Sequence, residues 1–267
     1  MKIGIFDSGL GGLIVAKAVR KMLPEYDYVY LGDTKRVPYG NRSHQAVYEF
    51  TREAMEYLFR KENCALVIIA CNTSSARALE RIQREYLPKH FPKRKVLGVL
   101  IPTAEVCAPY RKVGVLATLG TVASNSFPRE IRKAEKKTKV WQNPAPMLVP
   151  LIEEGDGALA GPFIKKYLQP FSGKKMEALV LGCTHYPIFK KQIKKEMKMM
   201  LGKNVKLLSQ DEIVPKKFKD YLKKHKEIEK RLSKRGQAKI LVTDITKNVV
   251  KLSNQWFGKI KPRLVHL

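Results

Sequence analysis

No apolar run in the 267-residue sequence reaches the ~18 residues that a membrane-spanning helix needs. The opening MKIGIFDSGLGG interrupts its short apolar stretch at Gly4 and then turns polar, which is too early for a secretion-signal core. A soluble, cytoplasmic protein with no membrane partner is therefore expected. Cysteine is sparse, with four residues at 64, 71, 107 and 183 and no CxxC pair, so neither a paired-ligand zinc site nor a disulfide framework is expected. Nucleotide-binding glycine motifs are missing too. The turn SGLGG (8–12) is neither GxGxxG nor GxxxxGK[ST], and it reads as a place where backbone approaches a small ligand closely. Acidic residues are in deficit: 24 Asp and Glu against 52 Lys and Arg, a net charge of +28. The excess peaks between 190 and 239, with 18 Lys and Arg against 6 Asp and Glu. Only Phe218 and Tyr221 are aromatic there, so the stacking surface of a single-strand binder is absent. Solvated helix faces are the expected reading, with weak, secondary contact to nucleic acid through the basic surface.

What is present is a chain that is 44% apolar, long enough for two modest cores. Short apolar runs alternate with helical patterns, which predicts a parallel α/β architecture. Strands are expected at KIGIF, DYVYLGD, ALVIIA, KVLGVL, KVGVLAT, EALVLG, VKLL and AKILVTD. Helices are expected after the glycine turn, over His44–Lys61, after the CNTSSA loop with Thr73 or Ser74 as cap, and in the later Lys-rich segments. ATLGTVAS reads as a turn, and WQNPAPM as a Pro-rich loop leading to a short helix at VPLIEEG.

The two halves of the chain look like distant copies. One strand ends at Asp7 and a later one delivers Cys71, 64 positions on; the second half repeats this from Thr118 to Cys183, 65 positions on. Ligands of open parallel sheets gather at such strand ends. A cleft is expected with one thiol on each wall. Each thiol opens a string, ACNTSSA (70–76) or LGCTHYP (181–187), that adds hydrogen-bond donors and a helix start. Helix N-terminal amides favour a thiolate and bind carboxylates, and Asn72, Thr73 and Thr184 add side-chain donors. His185, two residues beyond Cys183, can tune that thiol or move its proton. Asp7 fits either a turn-forming role or a catalytic or ammonium-binding one, and Glu153 is a candidate by position. Cys64 and Cys107 lie in ordinary core contexts.

FDSGLGG (6–12), GDTKRVPYG (32–40), ACNTSSA (70–76), LIEEG (151–155) and LGCTHYP (181–187), followed by the closing LVTD, resemble the bacterial glutamate racemases along essentially the whole chain. The resemblance implies two flavodoxin-like, doubly wound α/β domains related by pseudo-symmetry, residues 1–98 with 209–267 and residues 99–208, and a homodimer. It implies that Cys71 and Cys183 are acid/base thiols, that Asp7 supports Cys71, and that His185 with Glu153 supports Cys183. Substrate contacts would come from Asp7, Ser8, Pro38, Tyr39, Gly40, Asn72, Thr73, Thr118, Thr121, Thr184 and His185. The activity implied is interconversion of L- and D-glutamate without cofactor or metal, supplying D-glutamate for peptidoglycan. Two segments depart from the family pattern: Leu100-Ile101-Pro102 where an acidic residue usually precedes the proline, and Ser124-Asn125-Ser126-Phe127 where SGAY is usual. The alternatives are an aspartate or hydantoin racemase or another small-acid isomerase of the same superfamily, and, from a different class, a basic polyanion-binding protein, which explains neither cysteine. A papain-like hydrolase has no use for two symmetric thiols.

Overall fold

The computed structural model describes residues 1–267, and its two sheets are wholly parallel, as the alternation of strands and helices predicts. Met1–Val99 with Val214–Leu267 form one compact unit, and Leu100–Ile213 form the other. Ten strands run in chain order: β1 (Lys2–Asp7), β2 (Tyr28–Gly32), β3 (Cys64–Ile69), β4 (Lys95–Gly98), β5 (Lys112–Ala117), β6 (Lys139–Pro144), β7 (Ala178–Gly182), β8 (Lys206–Ser209), β9 (Ala238–Val242) and β10 (Arg263–Leu264). The first unit orders its sheet β10-β9-β2-β1-β3-β4, and the second β6-β5-β7-β8. Removing β9 and β10 leaves the same order in both, with β1 matching β5 and β3 matching β7. The repeat suggested by the spacing of the thiols is thus present in the topology. No helix is long and apolar enough to cross a membrane.

Burial explains why some strands are plain in the sequence and others are not. In β3 and β7 every residue is buried, because helices cover both faces of a parallel sheet, so these strands read as unbroken apolar runs. β6 is different. It is an edge strand with no fully buried residue, KVWQNP, and it ends in a proline that an edge position tolerates. The segment expected to be a Pro-rich loop therefore contributes a strand to the sheet. The two-residue β10 is likewise unforeseen.

Two local expectations are corrected. The helix after β3 starts at once, at Asn72, and its cap is neither Thr73 nor Ser74 but Cys71, whose Sγ accepts the Ser74 N–H at 3.4 Å. The chain is still extended at Cys71 (φ −68°, ψ 123°), so the thiol occupies the place of a capping oxygen. The ATLGTVAS segment is a short helix, Leu119–Ala123, capped by Thr118, whose Oγ1 accepts the Thr121 N–H at 3.2 Å.

Candidate active site

In the first unit β1 and β3 are neighbours, so their carboxyl ends bring Asp7 and Cys71 to the same edge. The Ala70 N–H donates to the Phe6 carbonyl at 2.7 Å and closes that edge. Ser8 Oγ lies 3.3 Å from Cys71 Sγ, and Gly9 N–H donates to Asp7 Oδ2 at 3.1 Å. Both Asp7 and Cys71 are buried, as are Asn72 and Thr73 in the first helical turn. Burial pushes the Cys71 thiol above its ordinary pKa and the Asp7 carboxylate pushes it further, while hydrogen bonds from Ser8 and Ser74 oppose the rise.

The glycines of SGLGG serve packing inside this unit. A Cβ on Gly12 would stand 2.6 Å from Asp7 Cβ and 3.0 Å from Ala70 Cβ. A Cβ on Gly32 would meet the Gly9 carbonyl oxygen at 2.4 Å, and Tyr30 donates to that same oxygen at 2.7 Å. The turn is held against β1 and β2, and the absent side chains are what allow it. Pro38 and Gly40 flank Tyr39, which begins a single 3-10 turn and is fully buried. The Tyr39 hydroxyl donates to Asp33, so that side chain braces the loop. Burial and Asp33 push its proton loss upward, and Cys71 adds to the same shift, so the ring lies within electrostatic reach of the thiol.

The second unit repeats the arrangement with different partners. β5 and β7 are adjacent, and Thr118 and Cys183 follow their carboxyl ends. Cys183 Sγ is 3.8 Å from His185 Nδ1, and His185 Nε2 is 2.9 Å from Glu153 Oε1. Glu153 comes from the helix Leu148–Glu154, which ends at Gly155 in the left-handed conformation (φ 85°). Burial alone would lower the His185 pKa, but hydrogen bonds to Cys183 and Glu153 outweigh it and hold the imidazolium to higher pH. Thr184 is buried beside them, and Thr118 and Thr121 share a hydroxyl contact of 3.0 Å. Tyr186 pins the LGCTHYP loop: its hydroxyl contacts the Ala117 and Ala145 carbonyls at 3.1 and 2.9 Å. The Phe127 departure is a packing feature, since its buried ring fills the space a Cβ on Gly182 would need, 2.9 Å from Cε2. Leu100-Ile101-Pro102 opens a short helix, Leu100–Glu105, with Leu100 buried.

The structure brings together Asp7, Ser8 and Cys71 on one sheet edge, and Cys183, His185 and Glu153 on the other. Cys64 and Cys107 are core thiols, each pushed by burial to about 12. No three His, Cys, Asp or Glu side chains converge as a metal-binding set. The sequence reading missed Asp33, which is fully buried, and its partners Arg36 and Thr243. The signal was available: an aspartate closing an apolar strand, as Asp7 does.

The chain is thus an α/β protein of two like parallel sheets, each with a buried thiol at the carboxyl end of a strand. The Asp/Glu/hydantoin racemase family model matches residues 14–209, and the chain belongs to that family. Its full-length relatives carry a more particular name. A glutamate racemase from Sulfurihydrogenibium sp. (strain YO3AOP1) is 36% identical over 100% of this chain and 98% of its own length. One from Aquifex aeolicus (strain VF5) is 34% identical over 99% of this chain and 97% of its own. The solved structure of Francisella tularensis subsp. tularensis SCHU S4 glutamate racemase in complex with D-glutamate superimposes with a TM-score of 0.88. It is 31% identical and covers 99% of this chain and 97% of that one.

Proposed function

We propose that this chain interconverts L- and D-glutamate without a cofactor, one of Cys71 and Cys183 removing the α-proton and the other delivering a new one to the opposite face, and so supplies D-glutamate for peptidoglycan. One observation carries the reading: two thiols at equivalent strand ends of two like units, each beside a different proton-handling group. Racemisation needs a base on one face of the α-carbon and an acid on the other, and a matched pair of thiols is the simplest set that provides both.

With L-glutamate, the Cys183 thiolate takes the α-proton and the Cys71 thiol delivers one to the opposite face. The product is D-glutamate, with Cys71 now the thiolate and Cys183 the thiol. D-glutamate runs the same sequence backwards. His185, oriented by Glu153, is placed to exchange a proton with Cys183. The amides at the start of the helices at 72 and 119, with Asn72, Thr73, Thr118, Thr121 and Thr184, supply donors for substrate carboxylates. Because no covalent electron sink takes part, the developing carbanion depends on preorganised donors in a site sheltered from water.

Replacing either Cys71 or Cys183 by Ala should abolish racemisation of glutamate. Cys64→Ala and Cys107→Ala should stay active, with only packing losses of about 1–3 kcal/mol in stability. A Cys183→Ala enzyme that racemises at near-normal rate would refute the two-thiol reading.

A further inference from the structure

β2 ends at Gly32, and the N–H of the next residue, Asp33, donates to the Asp7 carbonyl at 3.0 Å, so Asp33 sits next to the proposed catalytic carboxylate on the same sheet edge. Its side chain has no exposure to solvent. A carboxylate buried to that extent persists only where its lone pairs are filled. Oδ2 accepts from Arg36 Nε at 2.6 Å and from the Tyr39 hydroxyl, and Oδ1 accepts from Thr243 Oγ1 at 2.8 Å. Arg36 is itself held, with Nη1 donating to Glu53 and its guanidinium 4.2 Å from the centre of the Phe50 ring. Phe50 in turn packs on Tyr39, ring centres 5.6 Å apart.

Thr243 follows β9, which pairs with β2 on the side away from β1. It belongs to the stretch of chain that returns after the second unit, beyond the residues matched by the family model. Its hydroxyl also accepts the Lys35 N–H at 3.0 Å, and Thr34 and Asp244 exchange two further hydrogen bonds. Thr34, Lys35, Arg36 and Tyr39 of the loop 34–42 are thus each hydrogen-bonded to Asp33 or to the returning segment.

We propose that Asp33 is a positioning residue for the Cys71 half of the site, and that Thr243 holds Asp33 in place. Together they fix the loop whose Pro38-Tyr39-Gly40 turn meets the substrate, a role that rests on the glutamate reading above. The returning C-terminal segment then does more than widen a sheet. It supplies the donor that locks a substrate-binding loop, and the Tyr39 hydroxyl, committed to Asp33, serves as the link.

The test uses the full-length enzyme with Thr243→Val, Thr243→Ser, Asp33→Asn and Cys71→Ala. Thr243→Val keeps the shape and removes the hydroxyl. It should raise the KM for both enantiomers about tenfold, the expected effect of losing one hydrogen bond to a charged group, with a smaller fall in kcat. Thr243→Ser restores the hydroxyl and should return KM towards the parent value. Asp33→Asn should raise KM at least as much, and adding Thr243→Val to it should have little further effect, because both act through one carboxylate. A folded Thr243→Val enzyme with unchanged KM, or one whose defect Ser does not relieve, overturns the proposal even if Asp33→Asn fails to fold. Cys71→Ala separates the two readings. If it remains active, the two-thiol reading itself fails; if it is dead while Thr243→Val is normal, only the positioning role fails.

Discussion

Cys71 and Cys183 occupy equivalent strand ends but face opposite electrostatic surroundings, a carboxylate in one case and an imidazole paired with a carboxylate in the other. The two enantiomers have equal free energy, so kcat/KM must match in both directions whatever is mutated. The asymmetry has to be read in α-proton removal instead. His185→Asn should impair removal of the α-proton from L-glutamate more than from D-glutamate, raising the primary isotope effect with α-deuterated L-glutamate but not with α-deuterated D-glutamate; equal changes in both would detach His185 from the Cys183 side. The kcat/KM profile should be bell-shaped with pH, because turnover needs one thiol ionised and the other not, and its limbs belong to the pair. The Asp7 charge raises the Cys71 pKa, so Asp7→Asn should move the alkaline limb to lower pH as the last thiol proton is lost more easily. A limb that stays put would mean the Asp7 charge does not act on that thiol. Both thiols were legible in the sequence, because each ends an apolar strand, 64 positions after Asp7 in one case and 65 after Thr118 in the other. The role of Cys71 as a helix cap was not: Thr73 and Ser74 are the better capping chemistry, and only the exact residue at which β3 stops being extended decides between them.

At the scale of elements, the glycine turn after β1 carries more of the site's geometry than its sequence suggests. Gly12→Ala would put a methyl group against Asp7 Cβ and Ala70 Cβ, which have no flexible end to move aside. The usual helical advantage of Ala over Gly is smaller than that clash, so the variant should lose about 1–3 kcal/mol. Activity should fall further than stability explains, because Asp7 is what gets displaced. Urea unfolding alongside kcat measures both, and a variant unchanged in either would contradict the packing account. The central strands were legible because they are buried on both faces and continuously apolar, as in ALVII and ALVLG. The edge strand β6 was not: its half-exposed residues and its proline carry no such pattern, and it is recognised only by pairing with β5. Asp33 closes an apolar strand as Asp7 does, so its place was legible, but its role was not. Its significance lies in Thr243, 210 positions away, and no local pattern announces that contact.

At the scale of the whole molecule, the charge and the chemistry are separate properties. The lysines at 223, 224 and 226 are exposed, whereas both thiols are buried. Changing these three lysines to Glu should weaken retention on DNA at low salt and leave kcat nearly unchanged, since diffuse positive charge gives sequence-indifferent contacts that salt screens. Circular dichroism on the same preparation verifies folding, and a collapse of kcat in a folded variant would show that this surface is coupled to the site. The like topology of the two sheets was legible from the repeated thiol spacing. The return of the last segment to the first sheet came from family resemblance, because nothing in the apolar pattern of AKILV says which sheet it joins.

Proton exchange at the α-carbon of glutamate by two thiols is the step on which the proposed function rests. The most direct measurement is to incubate the purified protein with L-glutamate in D2O, adding no cofactor, and to follow optical rotation and α-deuterium together. Rotation should decay to zero as deuterium enters the α-position, and in Cys71→Ala or Cys183→Ala the rotation should persist. Racemisation that persists without either thiol, or loss of rotation with no deuterium incorporated, would contradict the account.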